Sequence, residues 1–234
     1  MKAKQEKGIS MEIIARIHTD FPEKFGIPRQ SGLVESLKGT IVFEPRYRNP
    51  DALRGIEGFS HLWLLWQFSE AIRSDWQPTV RPPRLGGNTA MGVFATRSPF
   101  RPNPIGLSSV RLLAVESTDK HGTVLHVGGA DLMDGTPIYD IKPYLPYTDS
   151  HPDAVGGFAD PVRDYALNVT FPQELISLLP PQCRQAAVDV LAQDPRPAYQ
   201  HDGERIYGLF FAGFNISFRV IGASLEVVAV DPIA

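Results

Sequence analysis

The residues best suited to ligand chemistry in this sequence are arginines gathered in one stretch. Residues 76–115 contain five arginines and no lysine, aspartate or glutamate, although the whole chain has a formal net charge of −3. A guanidinium group binds phosphate and carboxylate through paired hydrogen bonds, and an aromatic neighbour such as Phe100 suits a stacked base. We therefore expect a basic surface on an acidic protein; the alternative is a set of solvated loop charges. The five residues are Arg81, Arg84, Arg97, Arg101 and Arg111.

Two further stretches have compositions that core packing does not require. In Pro28–Gly32, PRQSG, a proline stiffens the loop that presents Arg29 and Gln30. Gly128–Pro137, GGADLMDGTP, begins with a glycine pair that a ligand could approach closely. The aspartates that follow would suit a sulfonium or ammonium group, because both need oxygen partners. The alternative for each stretch is a plain turn. For the second stretch this is supported by its Asp-Gly pair, since such pairs commonly form turns.

A fourth stretch, Ala192–Tyr199, AQDPRPAY, follows a predicted helix. Asp194, Arg196 and Tyr199 offer an acceptor, a cation and a phenol within six residues. The alternative for Asp194 is that it only ends the helix.

Several common kinds of site are missing from the sequence. It has no GxGxxG, no GxxxxGK[ST], no HExxH and no GxSxG. The single cysteine, Cys183, excludes an internal disulfide framework and a cysteine zinc site, and no metal is expected. No apolar run of about 18 residues and no signal-peptide pattern occurs, which predicts a soluble, cytoplasmic protein without a membrane segment.

The hydrophobic pattern and the turn residues predict a mainly β fold. The 21 prolines and 20 glycines exceed the roughly 28 expected together, and they separate short apolar runs. Such short runs without long amphipathic helices favour a closed or sandwiched β structure. The run HLWLLWQF fits a buried strand or a short helix. The predicted strands are Glu12–His18, Gly39–Glu44, Phe59–Phe68, Met91–Thr96, Leu107–Glu116, Thr123–Gly128 and Ile138–Lys142.

After a turn-rich loop at Leu145–Val162, the pattern changes to that of a smaller α+β unit. Helices are predicted at Pro172–Leu179 and Gln182–Gln193, the second ended by Asp194-Pro195. Three strands are predicted to follow, and the middle one alternates apolar and polar residues. The predicted division is a β-barrel domain at 1–160 and a C-terminal domain at 161–234. The three strands are Arg205–Phe211, Phe214–Val220 and Ser224–Val230.

Taken together, these motifs resemble the TrmO (TsaA or YaeB) family of S-adenosylmethionine-dependent tRNA methyltransferases. Six segments occur in family order and cover almost the whole chain, without a departure at the motif residues. The segments are PRQSG, RGIEGFSHLW, WQPTVRPPRLGGN, MGVFATRSPFRPNPIG, DLMDGTPIYDIKPYLPY and LAQDPRPAY.

The resemblance implies a β-barrel that binds S-adenosylmethionine and methylates N6 of N6-threonylcarbamoyladenosine at tRNA position 37, beside the anticodon. It also implies a homodimer with the cofactor near the subunit interface. The small domain's Asp194, Arg196 and Tyr199 would meet the anticodon loop or the target base, and Arg81, Arg84 and Arg101 would contact the RNA. The implied cofactor pocket comprises Pro28, Arg29, Gln30, His61, Leu62, Arg97, Leu107, Gly128, Gly129, Ala130 and Asp131.

In the mechanism expected on this basis, Asp194 accepts the proton of the target nitrogen, and Tyr199 stacks on the base or bonds to it. Arg97 pairs with the carboxylate of the cofactor. Two other readings remain open at this point. One is a non-catalytic RNA-binding barrel, and the other is a hydrolase or isomerase that acts on an anionic small molecule.

Overall fold

The computed structural model describes residues 10–82, 89–162, 165–197 and 202–233 of the chain. Two residues singled out from the sequence, Arg84 and Tyr199, lie outside these ranges. Among the described residues, no helix is long and apolar enough to cross a membrane.

A closed barrel of six antiparallel strands forms the first part of the molecule. The order around the barrel is β1-β2-β7-β6-β3-β8, and β8 pairs with β1 to complete it. This confirms the mainly β prediction and its β-barrel. The strands are β1 (Ala15–Thr19), β2 (Lys38–Phe43), β3 (His61–Gln67), β6 (Ile105–Thr118), β7 (Gly122–Gly128) and β8 (Thr136–Pro143).

The run HLWLLWQF is a strand and not a helix. In β3 the inward-facing Leu62, Leu64 and Trp66 are buried, while Trp63 and Leu65 between them are only partly so. A strand places alternate side chains on opposite faces, so one set fills the barrel and the other lies outside it. Both sets are apolar, which is why the sequence itself shows no alternation.

One predicted strand, Met91–Thr96, is wrong over most of its length. Within it, β5 (Met91–Gly92) is the part that forms a strand, and it pairs with β4 (Thr79–Val80) in a two-stranded ribbon. Val93–Ala95 form a 3-10 turn instead, because the Thr96 hydroxyl donates a hydrogen bond to the Val93 carbonyl at 2.9 Å and closes the chain on itself. Such local bonds compete with sheet pairing.

A second sheet, of order β10-β11-β12-β9, forms the C-terminal part with helices beside it. Both predicted helices are shorter than expected. Proline residues limit their length. The helix predicted at Gln182–Gln193, for example, is preceded by a 3-10 turn at Pro181–Cys183. Before this part, α1 (Pro146–Asp149) lies beside the barrel, where Asp149 accepts a hydrogen bond from the Trp63 indole at 2.8 Å. The elements of the C-terminal part are β9 (Asn168–Thr170), α2 (Gln173–Ile176), α3 (Arg184–Ala192), β10 (Tyr207–Phe211), β11 (Phe214–Ile221) and β12 (Ser224–Pro232).

The described residues form two hydrophobic cores, one inside the barrel and one beneath the second sheet. The connection between β1 and β2 belongs partly to the second core, because Phe21, Val34 and Leu37 pack there. The same connection is tied to α3 by a 2.5 Å hydrogen bond from the Ser36 hydroxyl to Asp189. A division at residue 160 remains a prediction, and the segment that follows β1 contributes to both parts.

Candidate functional site

The PRQSG loop lies against the segment that follows β7, at one end of the barrel. The Gly32 amide donates to the Gly129 carbonyl at 2.9 Å, and the Gly129 amide donates to the Leu37 carbonyl at 2.9 Å. Gly129 has a φ of 72°, and a Cβ there would lie 3.3 Å from the backbone of Gly32. Both the backbone angle and this close approach favour glycine.

Strand β6 contacts the same loop, because the Ser109 amide donates to the Ser31 hydroxyl at 3.1 Å. Arg97, from the loop that precedes β6, donates a hydrogen bond to the side-chain carbonyl of Gln30. The structure therefore brings together three predicted cofactor segments that are far apart in sequence. They are the PRQSG loop, the ATRSPFRPNPIG loop and the GGAD segment.

Asp131 is the carboxylate at the centre of this arrangement. Burial raises the pKa of Asp131 above its usual range, while the hydroxyl of Ser108, backbone amides and the charge of Arg97 act in the opposite direction. The Ser108 hydroxyl donates to Asp131 at 2.6 Å and accepts from the Trp66 indole at 2.9 Å. A half-buried carboxylate held by neutral donors keeps its negative charge available for a cationic ligand.

The remaining predicted cofactor residues are spread around this end of the barrel. Strand register places His61 opposite Arg111, and Arg111 opposite Gly128. Leu107 is 56% exposed and directly precedes Ser108. Leu62 is fully buried in the barrel core, so only its main chain could reach a ligand.

Two other residues of the predicted set, Pro28 and Ala130, are also buried, whereas Arg29 is exposed. The buried pair supports the backbone of the two loops that meet here. Arg29 is the residue of the PRQSG loop that presents a charge at the surface.

The basic loop carries exposed aromatic rings as well as arginines. The Arg73 guanidinium lies 3.8 Å from the centroid of the Phe100 ring. Arg101 donates to the Thr96 carbonyl at 3.2 Å, which leaves part of its guanidinium for other contacts. Arg81 is exposed at the end of a described range. Arg97, from the same loop, is hydrogen-bonded to the predicted cofactor residue Gln30.

The C-terminal group is built around Asp194. Arg196 forms a bidentate ion pair with it at 2.8 and 3.0 Å, and the Tyr165 hydroxyl donates to it at 2.9 Å. Burial by itself would raise the pKa of Asp194, but the hydrogen bonds from Arg196 and Tyr165 outweigh burial and lower it. Asp194 also ends α3 with a φ of 52°, so the helix-ending role is present.

The two groups are separate in the described part of the chain. No hydrogen bond or ion pair there joins Asp194 or Arg196 to the predicted cofactor residues. The role of Asp194 as proton acceptor stays a prediction, and so does that of Tyr199, which lies outside the described residues. The described residues contain no group of three histidine, cysteine or carboxylate side chains that could hold a metal ion.

Sequence reasoning missed three residues of these groups, namely Ser31, Ser108 and Tyr165. A signal existed for Ser108 in the alternation of β6. Gly106, Ser108 and Val110 share the inward face, so a polar side chain there needs a buried partner. Ser31 and Tyr165 gave no such signal, because they lie in loops without a periodic pattern.

Comparisons with known proteins cover almost the whole chain. The model of the tRNA-methyltransferase O N-terminal domain matches residues 16–150, and that of the TrmO C-terminal domain matches residues 164–233. A protein of Escherichia coli named tRNA (adenine(37)-N6)-methyltransferase is 47% identical over 94% of this chain and 97% of its own length. A protein of Eikenella corrodens with the same name is 50% identical over 69% of this chain and 91% of its own.

A solved structure supports the same relationship. The crystal structure of TrmO from Pseudomonas aeruginosa matches with a TM-score of 0.78 and 33% identity, covering 96% of this chain and 98% of that one. The two family models together span the barrel and the second sheet, and the Escherichia coli relative and this structure each cover nearly the whole chain. The chain therefore belongs to the tRNA-methyltransferase O family.

Proposed function

We propose that this protein transfers a methyl group from S-adenosylmethionine to N6 of adenosine 37 in tRNA, and that its substrate is the N6-threonylcarbamoyl form of that base. The observation that carries the proposal is the likeness to the Escherichia coli tRNA (adenine(37)-N6)-methyltransferase along nearly the full length of both chains. The meeting of the three predicted cofactor segments at one end of the barrel supports it.

The residues at that end fit the cofactor by charge. S-adenosylmethionine combines a sulfonium, an ammonium and a carboxylate group. Asp131 offers a half-buried negative charge, and Arg97 offers a positive charge close enough to act on Asp131. Opposite charges at fixed positions can bind and orient a ligand that carries both signs.

Around that pair, the rest of the pocket is proposed to come from the PRQSG loop, from the main chain at Leu62, Gly128, Gly129 and Ala130, and from His61 and Leu107. The cofactor supplies an electrophilic methyl group. The protein's own contribution is to align that group with the target nitrogen, and alignment can be worth roughly 7–11 kcal/mol in favourable cases.

The target nitrogen loses its proton when it accepts the methyl group, so a proton acceptor is needed in the site. Asp194 remains the proposed acceptor, with Arg196 paired to it, and Tyr199 is proposed to stack on the target base or bond to it. In this structure its carboxylate is paired with Arg196 and accepts a hydrogen bond from Tyr165. A shift of that pair on tRNA binding would be required before Asp194 could take a proton, because the pairing lowers its basicity.

The RNA is proposed to bind along the basic loop. Arg81, Arg84 and Arg101 would contact phosphates of the anticodon stem-loop or the threonyl carboxylate. The target base already lies in a loop, so little unstacking energy is needed. A homodimer with the cofactor near the subunit interface, working in the cytoplasm, completes the proposal.

Calorimetry and a methylation assay test this function. We expect wild-type protein to bind S-adenosylmethionine and to methylate tRNA that carries threonylcarbamoyladenosine at position 37. Matched tRNA with unmodified adenosine 37 should react poorly. Equal methylation of both tRNAs would contradict the proposal that the threonylcarbamoyl group is required, while the assignment as a tRNA methyltransferase would stand.

The two alternatives make different predictions in the same experiments. A non-catalytic RNA-binding barrel would bind tRNA in a salt-sensitive way and show no affinity for S-adenosylmethionine. A hydrolase or isomerase of an anionic small molecule would not bind tRNA. A thermal-shift assay with S-adenosylmethionine separates both alternatives from the proposed methyltransferase, since a ligand at 100 times its Kd stabilises a protein by about 2.7 kcal/mol.

A further inference from the structure

We infer that Ser108 is a positioning residue for methyl transfer, which orients the Asp131 carboxylate toward the cationic part of S-adenosylmethionine. This inference rests on the proposed function, because it assigns Asp131 to the cofactor. It adds a residue that lies inside the barrel and that the sequence motifs did not single out.

The direction of the hydrogen bonds around Ser108 is determined by its two partners. The Trp66 indole nitrogen can only donate, and it reaches the Ser108 oxygen at 2.9 Å. An ionised Asp131 can only accept, and it lies 2.6 Å from the same oxygen. The single hydroxyl proton of Ser108 therefore points to Asp131.

Burial makes this arrangement rigid. Ser108 is 1% exposed and Trp66 is 7% exposed, so water does not compete for the hydroxyl. Trp66 itself is confined by two neighbours. A Cβ on Gly106 would lie 2.2 Å from the indole ring, and the ring centroid of Phe68 lies 4.3 Å away. The indole can rest on β6 only because residue 106 has no side chain.

The same donor also favours the ionised form of Asp131. Burial raises the pKa of Asp131, and the hydrogen bond from Ser108 is the largest effect that opposes burial. Backbone amides at Ser31 and Asp131 and the charge of Arg97 add to it. Without Ser108 the carboxyl would take up a proton at higher pH and lose its attraction for a cation.

The test is the affinity for S-adenosylmethionine as a function of pH, measured by calorimetry on full-length Ser108→Ala. We expect a Kd about tenfold higher at neutral pH, because a hydrogen bond to a charged group is lost. We also expect the acidic loss of affinity to begin at higher pH than in the wild type. A rise in KM for the cofactor with a smaller change in kcat should accompany it.

Thr118→Val is the matched control for the loss of a hydroxyl on β6. The Thr118 hydroxyl donates to the Gly122 carbonyl at 2.9 Å, at the far end of the same strand. This variant should lose stability without a change in the pH profile for cofactor binding. An identical pH shift in both variants would show that the effect of Ser108→Ala is merely structural.

A double-mutant cycle with Trp66→Phe separates the two hydrogen bonds of Ser108. If Ser108 only satisfies the indole, then Ser108→Ala should have no effect on cofactor affinity once the indole is removed, and the inference fails. If Ser108 orients Asp131, the loss of affinity persists in the Trp66→Phe background. The double variant leaves no unpaired buried indole group, so it remains informative even if Ser108→Ala alone does not fold.

The two levels of the proposal fail in different ways. Absence of S-adenosylmethionine binding by the wild-type protein would overturn the proposed function. Normal binding by the wild type together with an unchanged Kd and pH profile in Ser108→Ala would overturn only the role of Ser108.

Discussion

Two aspartates, Asp131 and Asp194, each lie within reach of an arginine, but their surroundings differ. Asp131 is held by a hydroxyl and by backbone amides, with Arg97 acting through its charge, and its pKa is raised. Asp194 forms a bidentate ion pair with Arg196 and accepts from Tyr165, and its pKa is lowered. The first charge is available to a cationic ligand, whereas the second is already neutralised within the protein.

This difference bears on how sites are recognised from residue types. Asp194, Arg196 and Tyr199 are close in sequence and look chemically versatile, but the first two are engaged with each other. Asp131 looks like part of a turn, but the fold surrounds it with three distant segments. Availability of a charge thus depends on the partners that folding brings to it.

The largest expected effect is a loss of stability when the ion pair of Asp194 is broken. Arg196→Ala should lower the free energy of unfolding by about 3 kcal/mol, because it leaves a largely buried carboxylate without its cation. The side chains of the pair are only 9% and 13% exposed. Urea unfolding followed by circular dichroism measures this.

Arg54→Ala is the control for that prediction. Arg54 pairs with Asp51 on the surface, where the two side chains are 81% and 69% exposed. Exposed pairs contribute about 0–1 kcal/mol. Equal losses in the two variants would show that burial of the Asp194 pair does not add to its strength.

The next effect is on cofactor binding. Asp131→Asn should weaken binding of S-adenosylmethionine by about 30-fold, as expected for the loss of a charged contact worth roughly 2 kcal/mol. Asp194→Asn should leave that affinity nearly unchanged, since its charge is used inside the protein. Calorimetry measures the affinity of both variants for S-adenosylmethionine. A larger loss of affinity in Asp194→Asn than in Asp131→Asn would contradict the assignment of the two carboxylates.

A smaller effect is expected from Tyr165→Phe. This change removes the 2.9 Å hydrogen bond to Asp194 and keeps the ring. The loss of stability should be about 1 kcal/mol. Because Tyr165 and Arg196 share one acceptor, the double variant should lose less than the sum of the single losses. Full additivity in urea unfolding would mean that the two donors act independently.

The smallest effect should appear in the pH dependence of stability, with opposite signs for the two aspartates. Asp194 has a lowered pKa, so its contribution is present above the ordinary value of 3.8 and is lost as the pH falls below it. Asp131 has a raised pKa, so stability decreases as the pH rises above 3.8 toward that raised value. Comparing each Asn variant with the wild type from acid to neutral pH should reveal these opposite slopes, and slopes of equal sign would contradict them.

Much of the fold could be predicted from local patterns. The strands around Ile41, Leu125 and Phe218 were found because apolar residues lie between clear turn signals. The strand predicted at Met91–Thr96 is mostly a turn, because a threonine hydroxyl closes it locally. The predicted helix Gln182–Gln193 is longer than the observed one, because its first residues belong to the 3-10 turn Pro181–Cys183.

For the candidate site, the sequence by itself determined which segments carry ligand chemistry, because their arginines and aspartates are not needed for packing. Only the tertiary structure decided which of them meet. Strand order in a closed barrel brings Ser108 on β6 to Asp131 after β7, and a loop crosses from β1 to join them. Such contacts depend on pairing between residues far apart in the chain, and neither periodicity nor spacing encodes that pairing locally.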